Sequence, residues 1–193
     1  KGESVYAYLF LSPTKSSLGV FNMASFTFLL RMYPCLSSFS ISSSLSIFLN
    51  ILCSLINFVI ETVLGRGHRN ITAKHRSTMM FTKDSEITER GDCIVAVRIN
   101  KAISDLSKDF RQEILKGKRV YVKIACGGVV QSVYGYGSSM LVLKDDREIV
   151  IRKSSYIDKR TLLINATCSA HLLDRELVKN LRKEKKVRIE MVV

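Results

Sequence analysis

The chain has 193 residues, 47% of them hydrophobic, a size typical of one folded domain with an appendage. Lysine and arginine number 30 against 17 acidic residues, and the net charge of +13 attracts phosphates, nucleic acid or anionic membranes. The five cysteines are odd in number and none forms a C-x-x-C pair, which argues against a disulfide framework, a zinc ribbon or a dithiol redox motif. We therefore expect a cytoplasmic protein.

The first 57 residues differ from the rest of the chain. They contain few charges, and residues 41–60 form an apolar, serine-rich run as long as a membrane-spanning helix. Three interpretations are open: a misplaced translation start, since the chain begins with Lys1; a membrane anchor through residues 41–60; and a folded helical hairpin. We treat residues 1–57 as an extension and residues 58–193 as a compact basic domain.

The domain opens with strand-like patterns. Residues 58–67 alternate between apolar and polar and end at glycines, and residues 70–83 alternate again. A polar loop follows, and residues 93–99 are a short apolar run typical of a buried strand. Three strands are therefore predicted before the first helix.

The first helix is predicted from its cap and its apolar spacing. Ser104 is the predicted N-cap, and Gly117 closes the helix. Four strands are then predicted over residues 118–128, 129–137, 140–146 and 147–154. The pair Asp145-Asp146 is the predicted hairpin turn between the last two.

The remaining segments are a strand over residues 161–168, an amphipathic helix over 171–186 and a final strand over 187–193. Strands outnumber helices and mostly follow one another as hairpins. The sequence therefore predicts the α+β class, a mainly antiparallel sheet or half-open barrel with two covering helices. We detect no internal repeat.

A group of polar residues near the start of the domain has the chemistry of an enzyme site. The catalytic candidates are His68, His75, Asp92 and Cys93. A cysteine beside a histidine can act as a nucleophile, and His68 and His75 are also the candidate metal ligands. The alternative is structural: a capping histidine, a histidine at the edge of the core and a small buried cysteine. The sequence identifies no cofactor.

A basic segment at residues 149–160 is the clearest candidate for binding an anion. Guanidinium groups, an ammonium group, hydroxyls and an aromatic ring occur there together, a combination suited to phosphates. A solvated basic turn is the alternative. The predicted ligand-binding residues are Arg152, Lys153, Ser154 and Arg160, with Lys74 and Arg76 on a strand face.

Three blocks of sequence together resemble the archaeal family catalogued as domain of unknown function 371. They are GHRNITAKHRSTMMFTKD, RGDCIVAV and VIRKSSYIDKRTLLINA, and the resemblance covers about residues 58–193. It implies a cytoplasmic, archaeal, mainly β protein, and it carries over His68, Asn70, His75, Thr78, Gly91, Asp92, Cys93, Arg152, Lys153, Ser154 and Arg160 as motif positions. Arg69 and residues 137–139 depart from the family pattern, which has proline after His68 and a Gly-His-Pro-like turn.

Three functions are therefore predicted. The first is a module that binds RNA or another phosphate-bearing ligand, whose affinity falls with salt. The second is an enzyme with a His/Asp/Cys site, with or without a metal. The third is an interaction protein tethered to a membrane through residues 41–60. The sequence does not define an oligomeric state.

Overall fold

The structure, a computed structural model, describes residues 58–193, so the predictions for the N-terminal extension lie outside the described residues. The described part of the chain contains eight strands and two helices. The strands are β1 Ile60–Arg66, β2 Thr78–Thr82, β3 Ile94–Ala96, β4 Arg119–Cys126, β5 Val129–Tyr136, β6 Glu148–Arg152, β7 Thr161–Leu163 and β8 Lys186–Val192. The helices are α1 Lys108–Leu115 and α2 Arg175–Arg182, each preceded by a 3-10 turn.

The strands form two four-stranded sheets. The first sheet has the order β1-β8-β4-β5 and is antiparallel throughout. In the second, of order β3-β2-β6-β7, the central pair is antiparallel and the two outer pairs are parallel. The inward residues of both sheets join Phe110 of α1 and Leu177 of α2 in one buried cluster. The α+β class is confirmed, and no barrel is closed among the described residues.

The fold contains an internal repeat that the sequence analysis missed. The order strand, strand, short strand, 3-10 turn, helix, strand occurs once through β4 and again through β8. Exchanging the two halves maps the strand order of each sheet onto itself. Equivalent residues of the two halves differ in number by a constant offset over each stretch. The offset is 70 between Gly65 and Gly135 and 67 between the helix starts Lys108 and Arg175. The repeat escapes detection because apolar residues exchange freely at buried positions.

Backbone geometry supports the repeat independently of the strand order. Five described residues other than glycine have positive φ angles. Ala73 is equivalent to Leu143, Arg98 is equivalent to Asn165, and Glu184 is equivalent to Gly117, whose φ is +77°. Left-handed backbone is rare in such residues, so its recurrence at matching positions marks a shared chain path. The two halves thus provide an internal comparison: features needed for the fold recur, and features found once are candidates for function.

Two equivalent glycines bring each half against the helix of the other. A Cβ atom on Gly67 would lie 1.9 Å from the carbonyl oxygen of Leu181 in α2, and one on Gly137 would lie 1.9 Å from that of Ile114 in α1. No side chain can be accommodated at such a distance. The second glycine of each G-x-G therefore exists for packing, as expected for a close approach of backbones.

Several predicted elements differ from the structure. Residues 140–146 are not a strand, because Leu141 and Leu143 are buried in an irregular segment instead. Asp145 does cap a turn, but it leads into β6, which pairs with β2 rather than with a hairpin partner. The N-cap of α1 is Ser107 and not Ser104, which lies in the 3-10 turn. Within residues 58–193 no helix has the length and apolar character needed to cross a bilayer.

Candidate nucleic-acid interface

The solvent side of the first sheet combines aromatic, apolar and basic side chains. Alternation along the strands sends buried residues such as Val122 inward and their neighbours outward. Ile60, Leu64 and Val130 are exposed large hydrophobic residues on this side. We call this surface the tyrosine face and define it by Ile60, Thr62, Leu64, Arg66, Arg119, Tyr121, Lys123, Val130, Ser132, Tyr134, Tyr136, Lys186, Arg188 and Glu190.

Arg119 lies among three tyrosines at one corner of the tyrosine face. Strand register places Tyr136 opposite Arg119 and Tyr134 opposite Tyr121. The guanidinium carbon is 4.8 Å from the ring centre of Tyr134 and 5.4 Å from that of Tyr136. The guanidinium also donates to the Tyr136 hydroxyl at 3.0 Å and to that of Tyr121 at 3.5 Å. Stacking and hydrogen bonding together hold these planar groups in place before any ligand arrives.

The charge of the tyrosine face is mostly positive. Five of its side chains are cationic, and Glu190 is its one acidic member. Glu190 contacts Arg188 at 2.6 Å and Lys123 at 4.0 Å. An anion approaching this surface therefore meets net positive charge beside aromatic rings.

The basic segment at residues 149–160, predicted from the sequence to bind an anion, has both of its arginines in ion pairs. Arg152 has a side chain only 12% exposed, and it contacts Asp158 at 2.6 Å while donating to the Thr161 hydroxyl at 3.0 Å. Arg160 contacts Glu148 at 2.9 Å and Asp158 at 3.2 Å. Both guanidinium groups are thus matched by carboxylates of their own chain.

Asp158 is the centre of this ion-pair network. Burial would raise its pKa, but the hydrogen bond from Thr161 and the charge of Arg152 outweigh burial and lower the pKa. The carboxylate is therefore ionised at neutral pH and paired with Arg152. This arrangement favours a structural role for the two arginines, although their prediction as ligand-binding residues stays open.

The other predicted ligand-binding residues lie on the surface. Lys153, Ser154, Lys74 and Arg76 are exposed. The amide of Lys153 donates to the carbonyl oxygen of Ser77 at 2.8 Å, which brings Arg76 and Lys153 onto neighbouring chain segments. These residues form a basic patch outside the tyrosine face.

His75 has a structural partner in the second half. Its Nδ1 accepts from the amides of Ser77 and Thr78 at 3.3 and 3.0 Å. At the equivalent position, Asp145 accepts from the corresponding amides of Arg147 and Glu148. Because a histidine and an aspartate do the same work in the two halves, turn capping accounts for His75.

His68 is hydrogen-bonded to residues outside the group of catalytic candidates. Its Nδ1 accepts from the amide of Asn70 at 3.1 Å, and its Nε2 contacts Glu86 at 3.3 Å. Both ring nitrogens are therefore engaged within the chain. No group of three or more His, Cys, Asp or Glu side chains placed to hold a metal ion occurs in residues 58–193.

Cys93 lies at the start of β3 and is half-buried. Burial and then the charge of Asp92 raise the pKa of its thiol, which disfavours the thiolate that a nucleophile requires. The Asp92 carbonyl accepts from the amides of Lys74 and His75, so these two segments are adjacent. Among the described residues, no hydrogen bond joins the side chains of His68, His75, Asp92 and Cys93, and their catalytic role stays a prediction.

Sequence reasoning missed the tyrosine corner, although a signal was present. R-x-Y in β4 and Y-x-Y in β5 flank a Gly127-Gly128 turn in which both residues have positive φ, so the register of the pair could have been inferred. The sequence could not show which face of this strand pair is open to solvent, because the other sheet covers one of the two faces.

Comparison with known proteins confirms the resemblance based on the three blocks. A family model described as Domain of unknown function (DUF371) matches residues 63–193. The uncharacterised protein MJ0206 of the archaeon Methanocaldococcus jannaschii is 35% identical over 131 residues, covering 68% of this chain and 97% of that protein. The matched region takes in both halves of the repeat. The chain belongs to the DUF371 family.

Proposed function

We propose that this protein binds single-stranded RNA on the tyrosine face. The observation that carries the proposal is the corner where Arg119 lies among Tyr121, Tyr134 and Tyr136. Nucleotide bases stack on tyrosine rings and on guanidinium planes, and each base stacked on an aromatic side chain contributes about 1–3 kcal/mol.

The shape of the surface suits an unpaired strand. Four-stranded sheets that carry aromatic side chains stack about two or three bases in known RNA-binding modules. The strands of the tyrosine face are 7 or 8 residues long, which gives room for such a number. A sheet surface does not enter the deep, narrow major groove of an RNA duplex, so paired RNA is a poorer ligand.

The charges of the tyrosine face extend the site beyond the tyrosine corner. Arg66 of β1 lies opposite Lys186 of β8 in the strand register. Ile60 and Val192 lie opposite each other at the other end of the same two strands. A strand stacked on the tyrosines can run across the face toward these cations. If it neutralises three or four phosphates, the logarithm of affinity falls with that of salt concentration with a slope of about −2 to −3.

Fluorescence anisotropy with a labelled oligouridine provides the test. Tyr134→Leu removes a stacking ring while keeping an apolar residue, and the equivalent position in the other half is Leu64. We expect this change to weaken binding by about fivefold or more. Tyr156→Leu is the control, since Tyr156 is an exposed tyrosine that stacks on Arg152 outside the tyrosine face.

The outcomes separate the alternatives. Binding that is lost in Tyr134→Leu, kept in Tyr156→Leu and reduced by salt supports the proposal. Absence of binding at low salt would remove RNA as the ligand. Equal weakening in both variants would place the site elsewhere, and weakening by Lys153→Gln but not by Tyr134→Leu would favour the basic patch formed with Lys74 and Arg76.

A further inference from the structure

A cleft at the end of β1 combines basic side chains with a buried histidine. Its volume is about 180 Å³, which accommodates a small anion with part of an organic group. The titratable side chains that line it are Arg66, His68, Arg69, Glu86, Arg98 and Glu184. Cations exceed carboxylates in this lining.

His68 presents a fixed donor to the cleft. Its side chain is 7% exposed, and its Nδ1 accepts from the amide of Asn70 at 3.1 Å. A neutral imidazole that accepts at Nδ1 carries its proton on Nε2. The Nε2–H group therefore points to the carboxylate of Glu86, 3.3 Å away.

The carboxylate of Glu86, an anion of the chain itself, already occupies the position that faces His68. One carboxylate oxygen of Glu86 contacts His68, and the other lies 3.7 Å from Nη2 of Arg98. Both distances exceed the 2.7–2.9 Å or so of strong charge-assisted hydrogen bonds. Glu86 has a side chain 72% exposed and lies between β2 and β3, outside regular structure. Its carboxylate is thus loosely held and can be displaced.

The internal repeat separates what the fold needs in the cleft from what it does not need. The cleft residues Arg66, His68, Arg69 and Arg98 correspond in the second half to Tyr136, Ser138, Ser139 and Asn165. The neighbouring packing glycines and turn caps recur in both halves, as described above. The Nδ1 atom of His68 caps a turn as Ser138 Oγ does, since Ser138 accepts from the Met140 amide at 3.2 Å. The buried Nε2 donor and the three arginines beside it occur in one half only, and the turn does not require them.

We propose that this cleft binds a phosphate monoester group, which displaces Glu86 and accepts hydrogen bonds from His68 Nε2 and from the arginines. Guanidinium groups bind phosphate oxygens through paired hydrogen bonds, and several of them match a dianion better than a single carboxylate. The phosphate belongs to a small phosphate ester or to the end of a nucleic-acid strand. This site shares Arg66 with the tyrosine face but lies apart from the tyrosine corner, and it does not depend on RNA binding there.

Titration of the full chain with inorganic phosphate at low ionic strength tests the site, with calorimetry and the His68 side-chain NMR signal as readouts. Glu86→Gln removes the competing charge, and we expect phosphate to bind this variant about fivefold or more tighter. Arg98→Gln is expected to weaken binding about tenfold or more. Arg90→Gln is the matched control, since this exposed arginine lies in the loop that carries Glu86 but does not line the cleft.

The results that would overturn the proposal are specific. The first is that neither the unmodified protein nor Glu86→Gln binds phosphate. The second is that Arg90→Gln and Arg98→Gln weaken phosphate binding equally while the circular dichroism of both variants is unchanged. A 5′-phosphorylated oligonucleotide that binds Tyr134→Leu more tightly than its 5′-hydroxyl form supports a strand end as the source. Equal binding of the two oligonucleotides, with inorganic phosphate still bound, supports a small ester.

Discussion

Replacing Asp158 with asparagine tests whether Arg152 and Arg160 belong to the fold or to a ligand site. The substitution keeps a carbonyl oxygen that can accept from the Arg160 amide and the Thr161 hydroxyl, which Asp158 Oδ1 now does at 3.0 and 2.8 Å. It removes the charge that Oδ2 presents to Arg152 at 2.6 Å. The variant therefore removes the charge together with the hydrogen bonds that Oδ2 accepts from Arg152 and Arg160, and it keeps those of Oδ1.

The size of the effect follows from burial. Removing one partner of a fully buried pair costs about 3–5 kcal/mol, because the remaining charge is left without compensation. The side chains of Arg152 and Asp158 are 12% and 20% exposed, so solvent reaches this pair to a small degree. We therefore expect Asp158→Asn to lower the free energy of unfolding by about 2–4 kcal/mol.

Urea denaturation followed by circular dichroism measures this loss. Asp146→Asn is the control, because it removes the same charge from an exposed side chain. We expect it to change the free energy of unfolding by no more than about 0.5 kcal/mol. A loss below about 1 kcal/mol in Asp158→Asn, together with tighter oligonucleotide binding, would refute the structural assignment. It would show that the two guanidinium groups are available to a phosphate-bearing ligand, as the sequence predicted.

Three further predictions concern packing, acid stability and thiol chemistry. Gly67→Ala should lower the free energy of unfolding by about 3 kcal/mol or more, because its Cβ would lie 1.9 Å from the Leu181 carbonyl oxygen. Gly117→Ala, with φ of +77° and open space, should cost only about 1–2 kcal/mol in the same denaturation assay, and similar losses in both would contradict the close approach. Burial would raise the pKa of Glu61, but Lys101 and the Ser107 amide lower it, so its stabilising effect is present above the unfolded-state pKa of about 4.3 and is lost as the pH falls through the lower folded-state value. Urea midpoints between pH 6 and pH 3 should therefore fall less steeply in Glu61→Gln than in the unmodified protein, and parallel curves would argue against this coupling. Because the pKa of the Cys93 thiol is raised, iodoacetamide should alkylate it more slowly at pH 7.5 than it alkylates a cysteine in an unstructured peptide, as measured by peptide mass spectrometry. Faster alkylation would restore Cys93 as a candidate nucleophile.

The internal repeat changes how single residues are interpreted. Glu61 accepts from the Ser107 amide at 2.7 Å, and its equivalent Gln131 accepts from the Asp174 amide at 2.8 Å, so both tie a strand to a helix cap. The recurrence identifies buried Glu61 as structural despite its charge. Arg119 has no such counterpart, since the equivalent position is Lys186 and the tyrosines are found in one half only.

The sequence by itself determined the family, the α+β class and most strands and helices. Local patterns suffice there: the Gly127-Gly128 turn specifies a hairpin, and apolar spacing specifies both helices. The strand prediction is wrong at residues 140–146 and at the equivalent residues 70–77. Both segments alternate like a strand, but they fill the core as irregular chain. Local alternation cannot distinguish the two cases.

Only the tertiary structure decided which charges are available to a ligand. Arg152 and Arg160 are neighbours of other cations in sequence, but folding places Asp158 and Glu148 against them. Arg66 and Arg98 are 32 positions apart, and the bridge between Arg66 and Val97 brings them to one cleft. Net charge is a property of composition, whereas the pairing of each charge depends on contacts that exist only in the folded chain.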